Sequence, residues 1–287
     1  MSIVVNGLSY RHPDREELFS GISFSVTANN STSLIDNNGT GKSTVLKIIA
    51  GQLRQYEGNI SVEGTVYYIP QHFGQFNNMT VAETMGIDKK VCALNNILGG
   101  NGTDEDYEIL NDEWNEERSR TSLNSWGLEH ISLQDSLNNL SGGEKTKVFL
   151  AGIEIYHPDN ILMDEPTNHL DRTSRERLYK FIVETKKTIL LVSHDRELLN
   201  LMDATLELTS NGVHRYGGNY DLYKEIKDTE TEALIESIGE KEKKTPSRTP
   251  YGLGGNGSKT EAGLTRRKTK ETGRRPTYND EDTEGQR

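Results

Sequence analysis

The sequence has almost no cysteine. Cys92 is the single one in 287 residues, so no intrachain disulfide can form, and a reducing compartment, the cytoplasm, is expected. Cys92 itself reads as a small packed side chain. Long apolar runs are also missing. The longest aliphatic stretch is Ile189–Val192, far short of the roughly 20 residues that cross a bilayer, so no membrane segment is expected in the chain. The opening residues Met1 to Asn6 lack the basic start and apolar core of a secretory signal. Hydrophobic residues make up 32% and the mean hydropathy is −0.71, polar enough that some of the chain is not expected to pack. No internal repeat is visible, and the glycine-rich phosphate-loop pattern occurs once.

What is present is unevenly distributed. The net charge is −11, but residues 241–287 carry +5 and the rest −16, an acidic body with a basic tail. Residues 245–287 hold five apolar or aromatic residues, three prolines and seven glycines. Such a segment cannot bury enough surface to offset its ordering entropy, so a disordered basic tail is expected there. A basic tail is either a solvated end or a phosphate-binding arm. Gly252 to Gly257 fits G-x-G-x-x-G, but no strand pattern precedes it and no helical pattern follows, so it does not read as a dinucleotide loop.

Before the tail the pattern is α/β. Ser2–Val5, Ile22–Val26, Thr32–Ile35 and Thr65–Ile69 are rich in β-branched and aromatic residues and read as strands. A helix is expected from Lys42, ending near Gly51. Residues 79–135 read as mostly helical, interrupted at Gly99–Gly102. From residue 140, helical and buried-strand patterns alternate: Ile161–Met163, then a helix over Arg175–Thr185, then Thr188–Val192. That alternation implies a parallel sheet with crossover helices.

Three segments carry the chemistry. Asn38, Gly39, Thr40, Gly41, Lys42, Ser43 and Thr44 lie between a strand and a helix. Glycines there let the backbone curl so that successive N–H groups and the helix N-terminus face phosphate oxygens. In such a loop the lysine reaches the β- and γ-phosphates and the serine hydroxyl ligates Mg²⁺, which assigns those roles to Lys42 and Ser43. Ile161-Leu162-Met163-Asp164-Glu165 describes a buried strand with two carboxylates at its end. Asp164 is placed to hold Mg²⁺, and Glu165 to orient and deprotonate the attacking water. Leu140-Ser141-Gly142-Gly143-Glu144 opens a helix.

Together these segments resemble the ATP-binding-cassette family over residues 1–225: phosphate loop, signature motif at Ser141–Gly143 and acidic strand end, in the family's order and spacing. The resemblance implies an ATP- and Mg²⁺-dependent ATPase. It implies a P-loop core with a mainly parallel sheet, an antiparallel β subdomain (roughly 1–35 and 56–70) and a helical subdomain (about 75–139). It places Gln71 as the Q-loop glutamine near the metal, His194 as the switch histidine and Tyr10 as an aromatic stacked on adenine. It implies that Ser141, Gly142 and Gly143 meet the γ-phosphate held by a second cassette, from a homodimer or another chain. Glu165-Pro166-Thr167-Asn168-His169-Leu170-Asp171 and Tyr216–Tyr223 are similar to ABC-F sequences. ABC-F members have no membrane domain, bind ribosomes and in several cases protect them from antibiotics. A ribosome or rRNA partner follows from that resemblance, with an ATPase subunit of a membrane transporter and a nucleotide-binding relic as the other readings.

The chain departs from those patterns in two places. An ABC-F protein has two cassettes joined by a long paired-helix linker. Here one cassette (1–225) is followed by the start of a helical linker (226–244) and the tail (245–287), which reads as a first cassette truncated inside its linker. The Walker A pattern also calls for glycine at position 36, where this chain has Asp36. Either the side chain points away from the nucleotide, or it crowds the phosphates. At about 5 Å and an effective dielectric of about 20, that crowding costs roughly 3 kcal/mol and reduces activity.

Overall fold

A computed structural model describes residues 2–12, 14, 17–36, 41–54, 56–110, 116–209 and 212–244. The expected tail, 245–287, and the loop residues Asn38, Gly39 and Thr40 lie outside the described residues. By compactness the chain divides between Ser237 and Ile238.

The chain begins with β1 (Ile3–Arg11), β2 (Glu17–Val26) and β3 (Ser31–Asp36), followed by α1 (Lys42–Ile49), β4 (Glu57–Val62) and β5 (Val66–Ile69). A helical stretch holds α2 (Val81–Thr84), α3 (Asp88–Leu98), α4 (Asp104–Leu110) and α5 (Glu116–Ser125). Then come α6 (Gly142–Tyr156), β6 (Asn160–Asp164), α7 (Arg172–Glu184), β7 (Thr188–Val192), α8 (Arg196–Leu199), β8 (Ala204–Thr209), β9 (Gly212–Tyr216) and α9 (Tyr220–Lys244). None of the described helices is long and apolar enough to cross a membrane.

Two sheets form. The larger has the order β5-β6-β7-β3-β8-β9, with all neighbours parallel except β8 and β9. Its central strands are buried on both faces, as a parallel sheet under crossover helices requires. Alternate residues face opposite cores. Ile161, Met163, Ile189 and Leu191 pack with α6 and α7 on one side. Leu162, Leu190 and Val192 pack with α1 and the smaller sheet on the other. The smaller sheet is antiparallel, β2-β1-β4. The antiparallel subdomain is therefore narrower than 1–35 and 56–70: Ser31–Asp36 and Val66–Ile69 belong to the parallel sheet. Both are short runs buried along most of their length, and burial on two faces is the mark of the central sheet.

The helix from Lys42 is present, and Gly51 follows it with φ +72°. The segment at 79–135 is helical in four pieces, with the Gly99–Gly102 break between α3 and α4. Helix α9 starts at Tyr220, before the boundary at 225 expected for the cassette. Its first turns are held by Glu207 on β8, whose nearly fully buried carboxylate (3% exposed) accepts from Tyr223 Oη at 2.9 Å and Tyr216 Oη at 3.2 Å. Lys227 Nζ adds an ion pair at 2.9 Å.

Candidate nucleotide site

Four adjacent parallel strands deliver the site. Asp36 ends β3, Asp164 ends β6, Ser193 and His194 follow β7, and Gln71 follows β5. Ligands of open α/β sheets bind outside the carboxyl ends of the strands. A cleft of about 310 Å³ lies there, lined by His12, Leu18, Asp36, Gly41, Lys42, Ser43, Thr44, Gln71, Asp164, Glu165 and His194.

The phosphate side is built at the start of α1. Gly41 caps the helix with φ +92°. A methyl group there would stand 2.4 Å from Leu18 Cδ2, so both backbone conformation and space favour glycine. The first turn of α1 contains no acidic residue and its free N–H groups suit an anion. Asp36 does not point away: its carboxylate is buried, 1% exposed, and forms a very short ion pair with Lys42. A strand-end side chain between β3 and α1 faces the lysine that follows the loop.

At the other wall Ser43 Oγ donates to Asp164 Oδ1 at 3.0 Å, and Tyr68 Oη donates to Oδ2 at 3.4 Å. Burial pushes the Asp164 carboxyl above its ordinary pKa, against the pull of those donors. Glu165 follows with φ +51°, one of three described non-glycine residues in the left-handed region. Such a conformation costs of order 1 kcal/mol. The bend turns the carboxylate into the cleft, where Oε2 accepts from the His194 backbone N–H at 3.3 Å. Oε1 is buried without a hydrogen bond, and His194 Nε2 stands 3.4 Å from it. Burial raises the Glu165 pKa, while His194 pulls the other way.

A hard divalent cation fits these donors. No cluster of three or more His, Cys, Asp or Glu exists among the described residues, so none of them forms an all-protein metal cage. Mg²⁺ instead is held by one or two carboxylates together with substrate phosphates. Asp164, Ser43 and Gln71 are the residues that would hold it, and it would supply charge neutralisation at the phosphates.

The structure brings Lys42, Ser43, Thr44, Gly41, Gln71, Asp164, Glu165 and His194 to one cleft. It does not bring Tyr10 there. Tyr10 lines a separate hollow with Ser9, Glu17 and Tyr56, at a stretch of β1 with register shifts on both sides. His12, edge-on to Tyr10 at 5.5 Å, reaches the cleft instead. The sequence signal for His12 was its place two residues further on, just past the end of β1.

Ser141, Gly142 and Gly143 do not line the cleft either. Ser141 caps α6 in a capping box with Glu144, and that pairing, with His130, lowers the Glu144 pKa to about 2. The signature segment faces His169 instead, with Gly142 and Gly143 against its ring and carbonyl.

This geometry agrees with a direct family match: residues 19–168 fit the ABC transporter model. The chain belongs to the ABC transporter family. Its fold is that of an ABC ATP-binding cassette. The tylosin resistance ATP-binding protein TlrC of Streptomyces fradiae is 30% identical over 251 residues, covering 79% of this chain and 46% of TlrC. ABC transporter F family member 2 of Arabidopsis thaliana is 29% identical over 235 residues, covering 81% of this chain and 32% of its own length. The chain thus spans less than half the length of these relatives. The fold also matches a solved ATP-binding subunit of an ABC transporter, with a TM-score of 0.60 at 21% identity, covering 79% of this chain and all of that one.

Proposed function

We propose that this cassette is of the ABC-F type: it binds MgATP, hydrolyses it against a second cassette and acts on the ribosome. The observation that carries the reading is the segment Thr167–Asp171. Its sequence, Thr-Asn-His-Leu-Asp, resembles the ABC-F form, and it underlies the signature helix: His169 lies against Gly142 and Gly143, and Asp171 accepts from Lys147 of α6 at 2.7 Å. The names of TlrC and of the F family member point the same way.

In this reading Glu165 is the general base, placed beside Asp164 in a cleft that raises its basicity. His194 holds it in orientation. Lys42 and the N-terminus of α1 receive the phosphates, Asp164, Ser43 and Gln71 hold Mg²⁺, and His12 takes the base-facing position expected of Tyr10. Ser141 and Gly143 serve the nucleotide of the partner cassette.

Ribosome pelleting with the Glu165→Gln variant and ATP tests the partner. ATP-dependent pelleting at about 50 mM salt, falling by roughly two decades or more by about 200 mM, is expected of contacts made mainly to phosphates. A second reading, the ATPase subunit of a membrane transporter, is favoured by the family description itself. Absence of pelleting, with co-purification of a membrane protein, decides for it.

A further inference from the structure

We propose that Asp36 is an internal counter-ion that competes with the nucleotide for Lys42, and so sets how tightly this cassette holds its phosphates. The inference rests on the nucleotide-site reading above and extends it to a residue that the phosphate-loop pattern does not contain.

The argument begins with place. Asp36 is the last residue of β3, paired with Leu208 of β8, and its side chain is 1% exposed. Lys42, 12% exposed, meets it in an ion pair. Separating two charges this dry costs the Coulomb attraction they share in a low dielectric. Lys42 therefore has two choices when a polyphosphate arrives. It can turn to the phosphates and give up its ion pair with Asp36. It can also stay paired, in which case its charge is already neutralised. Either way the anion receives less from Lys42 than it would beside glycine.

The rest of the cleft deepens the effect. Its described lining holds three carboxylates, Asp36, Asp164 and Glu165, against the one lysine. Like charges facing a polyphosphate repel it, and a bound divalent cation is the group that offsets them. The cassette is therefore inferred to bind nucleotide weakly without a divalent cation, with Asp36 as the cause of the excess.

Two binding measurements and one melt test this. ATP is titrated into the full chain and into Asp36→Asn and Asp36→Gly, with Mg²⁺ and with EDTA. Both variants are expected to bind MgATP about tenfold tighter, equivalent to about 1.4 kcal/mol, and to gain more than tenfold in EDTA. In the ligand-free state both should melt lower than the parent, because Lys42 has lost its partner, while the upward shift caused by saturating MgATP should be larger. Tightening of binding together with a lower ligand-free melt is the signature of a competing counter-ion. Unchanged or weakened MgATP binding in variants that still melt cooperatively overturns the proposal and leaves the nucleotide site standing. If neither the parent nor the variants bind MgATP while all melt cooperatively, the nucleotide-site reading fails, and this inference fails with it.

Discussion

Gly143 and His169 are so close that a methyl group on the glycine would lie 2.7 Å from the His169 carbonyl oxygen. The contact is backbone on one side and the start of a helix on the other, so neither can yield by a rotamer change. It joins the signature segment to the loop that follows Asp164 and Glu165. A change of packing at one is therefore felt at the other.

Gly143→Ala should lower stability by about 1–3 kcal/mol, the usual range for overpacking, and reduce ATPase turnover. Gly142→Ala, whose methyl would meet the His169 ring at 3.3 Å, should cost less because a side chain can shift. Urea denaturation and steady-state hydrolysis of the two variants, side by side, check the ranking. Equal behaviour would mean that the loop at 169 moves freely.

Glu165→Gln should leave MgATP binding intact and lower turnover by about 10²-fold or more, as loss of a general base does. Equal turnover in variant and parent would remove Glu165 from the chemistry. Burial raises the Glu165 pKa, so the acid limb of the parent's rate profile should lie above the range of an exposed glutamate. The limb should vanish in the variant.

Asp171 caps α7 and takes a hydrogen bond from Lys147, which together with the Ser174 N–H lowers its pKa to about 2. A carboxyl with a depressed folded pKa contributes stability above its unfolded pKa of about 4, and loses it as pH falls toward the folded value. The stability gap between the parent and Asp171→Asn should therefore be full at pH 5–7 and close between about pH 4 and 2. Thermal melts across that window measure it, and a gap independent of pH would refute the linkage.

Glu207 is 3% exposed and depends on Lys227, Tyr223 and Tyr216. Lys227→Ala removes the cation and should destabilise the cassette by roughly 3 kcal/mol, because the buried carboxylate loses its charge partner. The double variant Glu207→Gln with Lys227→Ala should recover part of the loss. Denaturant titration of the single and double variants tests it. No recovery would mean that the ion pair matters less than the packing of the lysine stem.

Much of this molecule was legible in its residues. The run Ile161–Met163 ending in Asp164 and Glu165, and the glycines before Lys42 and Ser43, are local patterns: buried strand, tight loop, helix start. Their chemistry follows from residue type and spacing, and the structure brings Gly41, Lys42, Ser43, Asp164 and Glu165 to one cleft. The strand at Thr188–Val192 was readable to the residue, because burial on both faces leaves an unbroken apolar run.

Tertiary structure decided what local pattern could not. Tyr10 and His12 lie in the same stretch, and only the folded chain shows which ring reaches the cleft. Ser31–Asp36 has strand composition in either sheet, and its membership in the parallel one depends on its pairing with β7 and β8, more than 150 residues away. The orientation of Asp36 is of the same kind. Its identity marks a departure from the phosphate-loop pattern, but whether its carboxylate meets solvent, phosphate or lysine is fixed by where β3 ends relative to α1. Sequence determines which groups exist and what they can do locally; contacts between distant segments are set by the packing of the whole sheet, and those contacts decide which groups meet.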